Sequence, residues 1–321
     1  MTCARCISLL LPLLAAGCVA HRPAPRGASP ERPDDFGVLL MAHGGSPEWD
    51  DGVLDAAEPL RHQYPLEIAF GMADAVTIQE AVRRLEARGI RRIAVVRLFI
   101  SGESWFDRTE QILGLRPGAP TRPVLTGQAH DAGHGDQNHG MAFWRIQTQA
   151  SFALTPAGLA EAEALGTVLS DRARALSRVP QREDVLILAH GPGDDSENER
   201  WIAHIDSRAD AVRDALAFRR VQVMTLREDW PDKREEAERR IRAFVQSARD
   251  DGVTTIVIPF RVQGFGPYAQ VLNGLEYVAD GQGLVPHTEV TKWIAAQIET
   301  LRHGTFRSVV NQTTESPNPT K

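Results

Sequence analysis

An apolar run that ends in His-Gly occurs twice in this chain, as GVLLMAHGGSPEWDD with His43 and as DVLILAHGPGDDSENERW with His190. A short, continuous apolar run followed by glycine reads as a strand buried on both faces, which is typical of a parallel sheet covered by helices. The last side chains of such a strand emerge at its carboxyl end, where open α/β sheets bind their ligands. A second strand pattern also repeats, RRIAVVRLFISGESW around Gly102 and TTIVIPFRVQGFGPY around Gly264, each closing a helix-to-strand passage. The simplest fold consistent with both repeats is α/β, two related domains in tandem, each a parallel sheet flanked by helices.

Between these landmarks the periodicity predicts a strand over 37–43, a helix over 47–64 and a second strand over 66–72. A helix follows over 77–89, with Ile78, Ala81, Val82 and Leu85 on one face and Gly89 just past its end. The stretch from Gly102 to Thr155 is the least regular and carries the run GQAHDAGHGDQNHGMAFW, longer than loops usually are without a function. Residues 156–178 read as one long amphipathic helix, and the domain junction is expected near Pro180. The second domain repeats the order: strand 185–190, helix 198–218, strand VQVMTL, helix DKREEAERRIRAFVQSARDDG, strand TTIVIPF and helix 268–279. A last helix, EVTKWIAAQIETLRHG, is expected to take Thr288 as its N-cap. The domains are therefore expected at 36–180 and 181–303, with a disordered tail over 304–321.

A composition of 42% hydrophobic and 24% charged residues suits two packed cores. Lys and Arg number 36 against 42 Asp and Glu, a net charge of -6, which argues against a nucleic-acid partner. Cys3, Cys6 and Cys18 all precede residue 19, so the body has no disulfide framework, thiolate nucleophile or zinc knuckle. It also lacks GxGxxG after the first strand, GxxxxGK[ST] and GxSxG, so no organic cofactor is expected.

Ahead of Cys18, Arg5 precedes the apolar run ISLLLPLLAAG, which is too short to span a bilayer. Residues 1–18 resemble a bacterial lipoprotein signal peptide, with Leu14-Ala15-Ala16-Gly17-Cys18 as the lipobox and Cys18 as the lipidated residue. Ala15 stands where a large aliphatic residue is preferred, and an ordinary cleaved signal or a misassigned start codon is the alternative. Residues 19–35, rich in proline, suit a flexible tether. The expected location is an exported lipoprotein on the periplasmic or outer face of a membrane, held by its lipid alone. It is cytoplasmic if the signal is not used.

With these motifs in place, residues 36–303 resemble the class II chelatases, the sirohydrochlorin cobaltochelatase and ferrochelatase family, as two copies. LLMAHGGS and LILAHGPG are similar to the family's strand-one motif, and LEIAFGMADAVTIQEAVRRL and VQVMTLREDWPDKREEAERRI to its second strand and helix. IAVVRLFISGESW and IVIPFRVQGFGPY are similar to its third strand and metal-side loop. The resemblance implies insertion of a divalent metal (Co²⁺, Fe²⁺ or Ni²⁺, itself a substrate) into sirohydrochlorin or a related tetrapyrrole, on the route to cobalamin or sirohaem. It also implies a monomer, the tandem copies replacing a dimer partner. The chain departs from the family pattern at the second histidine of the metal-side loop, where it has Ser104 and Gly266. The glutamate after the second strand has no clear counterpart, Met72 and Asp74 lying nearby.

Chelation requires a weak metal ligand and an acceptor for two pyrrole protons, and imidazole serves both. His43 and His190 are thus the candidate metal ligands or proton acceptors, unless each only bonds its adjacent turn. His130, His134 and His139 of the Gly-rich run are further metal candidates if the loop closes over the cleft, and solvated loop residues if it does not. Glu103, beside Ser104, is a candidate carboxylate ligand or base, or a plain loop glutamate. Gly264-Phe265-Gly266 offers bare backbone and an aromatic ring for a flat macrocycle, or forms a tight turn with core aromatics. The acidic residues after each His-Gly turn suit the first turns of helices. The rival to catalysis is a membrane-tethered protein that binds metal or tetrapyrrole without inserting one into the other.

Overall fold

The computed structural model describes residues 35–122 and 141–309. In chain order its first half runs β1 (Phe36–Ala42), α1 (Pro47–Arg61), β2 (Leu66–Phe70), α2 (Ala75–Ala87), β3 (Arg92–Leu98), α3 (Phe106–Ile112) and β4 (Ser151–Leu154). A helix α4 (Leu165–Leu176) leads into β5 (Glu183–Ala189), α5 (Asp195–Ala215), β6 (Arg220–Thr225), α6 (Pro231–Asp250), β7 (Thr254–Phe260) and the short α7 (Tyr268–Val271). The described chain closes with α8 (Thr288–Arg302) and β8 (Arg307–Ser308). The readings that fall on 1–34, 123–140 and 310–321 lie outside the described residues: the signal peptide, Cys18, most of the tether, His130, His134, His139 and the end of the tail.

The strands form two sheets, ordered β2-β1-β3-β4-β8 and β6-β5-β7. All neighbours are parallel except β8, which pairs antiparallel with β4. Each His-Gly strand is central because it is apolar on both faces. In β1, Val38, Leu40 and Ala42 enter one core, and Leu39 and Met41 the other. In β5, Val185, Ile187 and Ala189 join that first core, and Leu186 and Leu188 a third beneath α6 and α7. Alternation at a period of two thus gives each strand two buried faces and one continuous core shared by both halves.

Helix starts follow the side chains that precede them. Ser46 caps α1 by accepting from Trp49 N, Asp74 caps α2 by accepting from Val76 N (2.8 Å) and Thr77 N (3.2 Å), and Asp194 caps α5 by accepting from Glu197 N (2.8 Å). Asp50 accepts from Gly45 N at 3.0 Å. The acidic residues after the two His-Gly turns therefore begin helices.

Five expectations are corrected. Residues 156–164 are not helical: Leu159 N and Ala160 N donate to Phe99 O and Ile100 O, so their hydrogen bonds go to the first half's sheet end. The carboxylate of Glu161 ties this segment down, accepting from Gly158 N (2.6 Å) and Gly102 N (3.3 Å). Second, the helices expected to close each domain are exchanged. α4 packs on α5 and β7 of the second half, while α8 packs on α1 and β3 of the first. Gly166 permits the close α4–α5 approach, since a Cβ there would lie 3.0 Å from Ala211 Cβ. The stripe Val290, Ile294, Ile298 and Leu301 of α8 joins the shared core. Third, the tail is ordered as far as Val309, because β8 pairs with β4 and Arg307 forms an ion pair with Glu110. In addition, the expected helix over 268–279 is only the four-residue α7, and His287, not Thr288, caps α8, its Nδ1 accepting from Glu289 N at 3.2 Å.

Candidate active site

The strand registers place the two halves in correspondence. Ala42 is paired with Phe70 and Leu98, and Ala189 with Thr225 and Phe260. His43 and His190 therefore occupy the same step past the central strand. Each ring turns back on its own turn, His43 Nδ1 lying 2.6 Å from Gly44 O and His190 Nδ1 2.8 Å from Gly191 O. A carbonyl only accepts, so this contact assigns the Nδ1 proton and leaves Nε2 as the working atom in both halves.

What Nε2 meets differs. His43 is exposed beside Trp49, ring centroids 5.9 Å apart, and no described protein group bonds its Nε2. His190 Nε2 lies 3.0 Å from Asp229 Oδ2 and 3.9 Å from Glu228 Oε2, with Trp230 edge-on at 6.0 Å. Burial pushes the His190 pKa down, but the Asp229 hydrogen bond and the Glu228 and Asp229 charges outweigh it, and the net shift is upward.

The turn after the second strand explains the difference. In both halves it contains a non-glycine residue in the left-handed region, Met72 (φ 61°) and Arg227 (φ 58°). In both halves this turn bonds back to the end of the central strand, Gly71 N and Met72 N to His43 O and Ala42 O, and Leu226 N and Arg227 N to Ala189 O and His190 O. The next two residues are Ala73 and Asp74 in the first half, and Glu228 and Asp229 in the second. Asp74 is committed to capping α2 and to Ala142 N (2.8 Å). α6 begins with Pro231 after Trp230 and uses no side-chain cap, which leaves Asp229 to face His190.

Glu228 is in turn held by Arg261, which follows β7: Arg261 Nη1 and Glu228 Oε1 form an ion pair. The Arg261 guanidinium lies 5.8 Å from the ring centroid of the buried Tyr268, and a Cβ at Gly266 would meet it at 2.8 Å. At the equivalent positions the first half has Phe99 and Ser104. There the buried Arg97 pins the loop instead, donating to Gly102 O and Ser104 O; burial pushes its pKa down to about 10.

The remaining sequence candidates are dispersed. Glu103 forms a bidentate pair with Arg200 of α5 (2.9 and 2.7 Å) that joins the two halves and lowers its pKa. Phe265 is stacked on Tyr277 (6.0 Å) and edge-on to Tyr268 (5.7 Å), so the Gly264-Phe265-Gly266 turn directs its ring into the third core. A cavity of about 320 Å³ lies between α5, α6 and the β6 edge. Arg227 and Lys233 on its wall both bond Gly193 O and Asp195, and so brace the His190 turn. Among the described residues, no three His, Cys, Asp or Glu side chains are placed to hold a metal ion.

Glu228, Asp229 and Arg261 were not singled out in the sequence. The signal for the first two was there: the glutamate expected after the second strand was sought at Met72 and Asp74, whereas the second copy carries it in the run TLREDW. Arg261 had none, since its role depends on Gly266 and Tyr268 folding back on it.

Residues 37–107 match the CbiX family model. SirB from Bacillus subtilis, solved with Fe³⁺, superposes with a TM-score of 0.57 at 13% identity, covering 83% of this chain and 95% of that one. The chain has the class II chelatase fold. Among curated relatives of this chelatase-like chain, a sirohydrochlorin cobaltochelatase of Sulfolobus acidocaldarius is 36% identical over 75 residues, 23% of this chain and 61% of the relative. One from Saccharolobus islandicus is 36% identical over 83 residues, 25% of this chain and 65% of the relative. The chain thus spans less than two thirds of the length of the curated relatives it matches.

Proposed function

We propose that this chain is a sirohydrochlorin-type chelatase, inserting Co²⁺ or Fe²⁺ into a tetrapyrrole. The observation that carries the reading is His190 with Asp229 and Glu228 at the carboxyl end of β5, matched by His43 with an unbonded Nε2 at the carboxyl end of β1. In its neutral form His190 accepts the two pyrrole protons one after the other at Nε2. The two carboxylates stabilise the imidazolium so formed, and Asp229, half exposed, passes the proton to water. The lone pair of His43 Nε2 is a weak, single-point ligand, suited to a metal that has to be released into the macrocycle.

The test is an anaerobic absorbance assay of the full chain with sirohydrochlorin and Co²⁺ or Fe²⁺. Insertion faster than without protein, slowed in both His43→Ala and His190→Ala, is the expected result; a rate equal to the protein-free control refutes the reading.

A second reading, tetrapyrrole or metal binding without insertion, has two observations in its favour: Ser104 and Gly266 stand where the family places its second histidine, and Arg261 is paired with Glu228. It fits the exported, Cys18-anchored location, for which globomycin-sensitive processing of the full chain is the check. Tight macrocycle binding with no insertion would select it.

A further inference from the structure

We propose that Arg261 is a built-in cation that keeps divalent metal out of the second half, leaving His43 as the strand-end imidazole open to the incoming metal. The inference rests on the chelatase reading of the site. His190, Glu228 and Asp229 are metal-ligating side chains gathered at one sheet end, yet among the described residues no three such side chains are placed to hold a metal ion, and one of these carboxylates already holds a cation. Glu228 Oε1 is paired with the guanidinium, and His190 Nε2 faces Asp229. Both partners of the ion pair are largely buried, Glu228 at 10% and Arg261 at 23% side-chain exposure, so solvent screens their attraction little.

The guanidinium is also seated among close neighbours. Tyr268 lies along one side, its ring centroid 5.8 Å away, and the bare backbone of Gly266 along another, where a Cβ would lie 2.8 Å from the guanidinium. The Arg261 backbone is fixed too: Leu284 N donates to its carbonyl at 2.8 Å, and a Cβ at Gly283 would lie 2.7 Å from the same oxygen. A divalent ion at Glu228 would have to displace this cation or sit beside it, against like-charge repulsion in a poorly screened site. The first half is built differently: Phe99 stands at the position of Arg261 and Ala73 at that of Glu228, and the Arg108 guanidinium that meets Ala73 donates to its backbone oxygen at 2.9 Å. Matched positions thus carry different side chains: the second half is equipped for protons, the first for metal.

The test is Co²⁺ binding to the full chain without tetrapyrrole, followed by visible d–d absorption and by stoichiometry after dialysis. In the unsubstituted protein, His190→Ala and Glu228→Gln should leave the amount of bound Co²⁺ unchanged, whereas His43→Ala lowers it. Arg261→Gln should gain one Co²⁺ per chain, with affinity raised on the order of tenfold or more by loss of the repelling charge. That gain is absent in Arg261→Lys and in the double variant Arg261→Gln/Glu228→Gln. Loss of Co²⁺ from His190→Ala or Glu228→Gln overturns the proposal without touching Arg261, and so does a folded Arg261→Gln protein that gains none. The outcome is independent of the insertion assay, so a chain that excludes metal here yet fails to chelate would sink only the activity.

Discussion

Gly102 and Gly264 stand at equivalent positions past β3 and β7, but the structure demands glycine at each for a different reason, and alanine separates the two. At Gly102 a Cβ would lie 2.1 Å from Pro156 O and 3.0 Å from Ala157 Cα, all backbone, so no rotamer relieves the overlap. The segment over it is held by Leu159 N to Phe99 O, Ala160 N to Ile100 O and the Glu161 carboxylate. Overpacking of this kind costs about 1–3 kcal/mol, and shifting the segment forfeits further hydrogen bonds worth about 1 kcal/mol each, so about 3 kcal/mol is expected for Gly102→Ala. At Gly264 nothing lies within 4 Å of the added Cβ, and only the positive φ of 72° is unfavourable, which costs about 1 kcal/mol. For a protein of this size the losses correspond to falls in Tm of about 6–12 °C and about 2–4 °C, readable by circular dichroism on the full chain. Gly264→Ala destabilising the protein as much as Gly102→Ala would refute the reasoning, because it would mean that the Pro156 segment yields to the extra methyl group.

Asp229→Asn should lower the His190 pKa, followed by the imidazole proton shifts in NMR. Since the folded-state value is raised, the dyad's stabilisation is complete below the ordinary histidine pKa and is lost as pH rises through the raised value, and Asp229→Asn should flatten that dependence. Insertion by the unsubstituted protein should fall as pH drops through the same raised value, and a rate that rises there would contradict His190 as acceptor. Ile187→Ala, in the core shared by both halves, should cost about 3–4 kcal/mol in urea unfolding, and a loss below about 1 kcal/mol would show that this face of the strand is not packed. Glu103→Gln should change stability by less than about 1 kcal/mol, because both members of its pair with Arg200 are about half exposed; a larger loss would make the pair a structural clamp.

Most of the architecture was legible because each central strand carries its own evidence. FGVLLMA and the VLILA of EDVLILA are apolar on both faces, and only a middle strand of a covered parallel sheet can bury both sets. The crossing of α4 and α8 was not legible. Their stripes show that each helix covers a sheet, and nothing in the period of a stripe says which one. Residues 156–164 misled for a related reason: their composition permits a helix, but the backbone groups of Leu159 and Ala160 bond across to the end of the first sheet, a tertiary choice that local propensity does not reveal.

At the site, the two histidines could be found from the repeat, while the difference between them could not. Both rings are oriented by the same turn, and the contrast arises two elements later, in how a helix begins. In the first half the helix starts at Ala75 and takes Asp74 as its cap. In the second it starts one position later on Pro231, which has no N–H of its own to satisfy, and Asp229 is released to the imidazole. Once Asp229 and Glu228 point at His190, two carboxylates gather in a partly buried site, and a fixed cation offsets their mutual repulsion. Arg261 supplies it, and Gly266 is the vacancy that makes room for its guanidinium. Glycine at position 266 and arginine at position 261 therefore go together: a Cβ at the first would lie 2.8 Å from the guanidinium of the second.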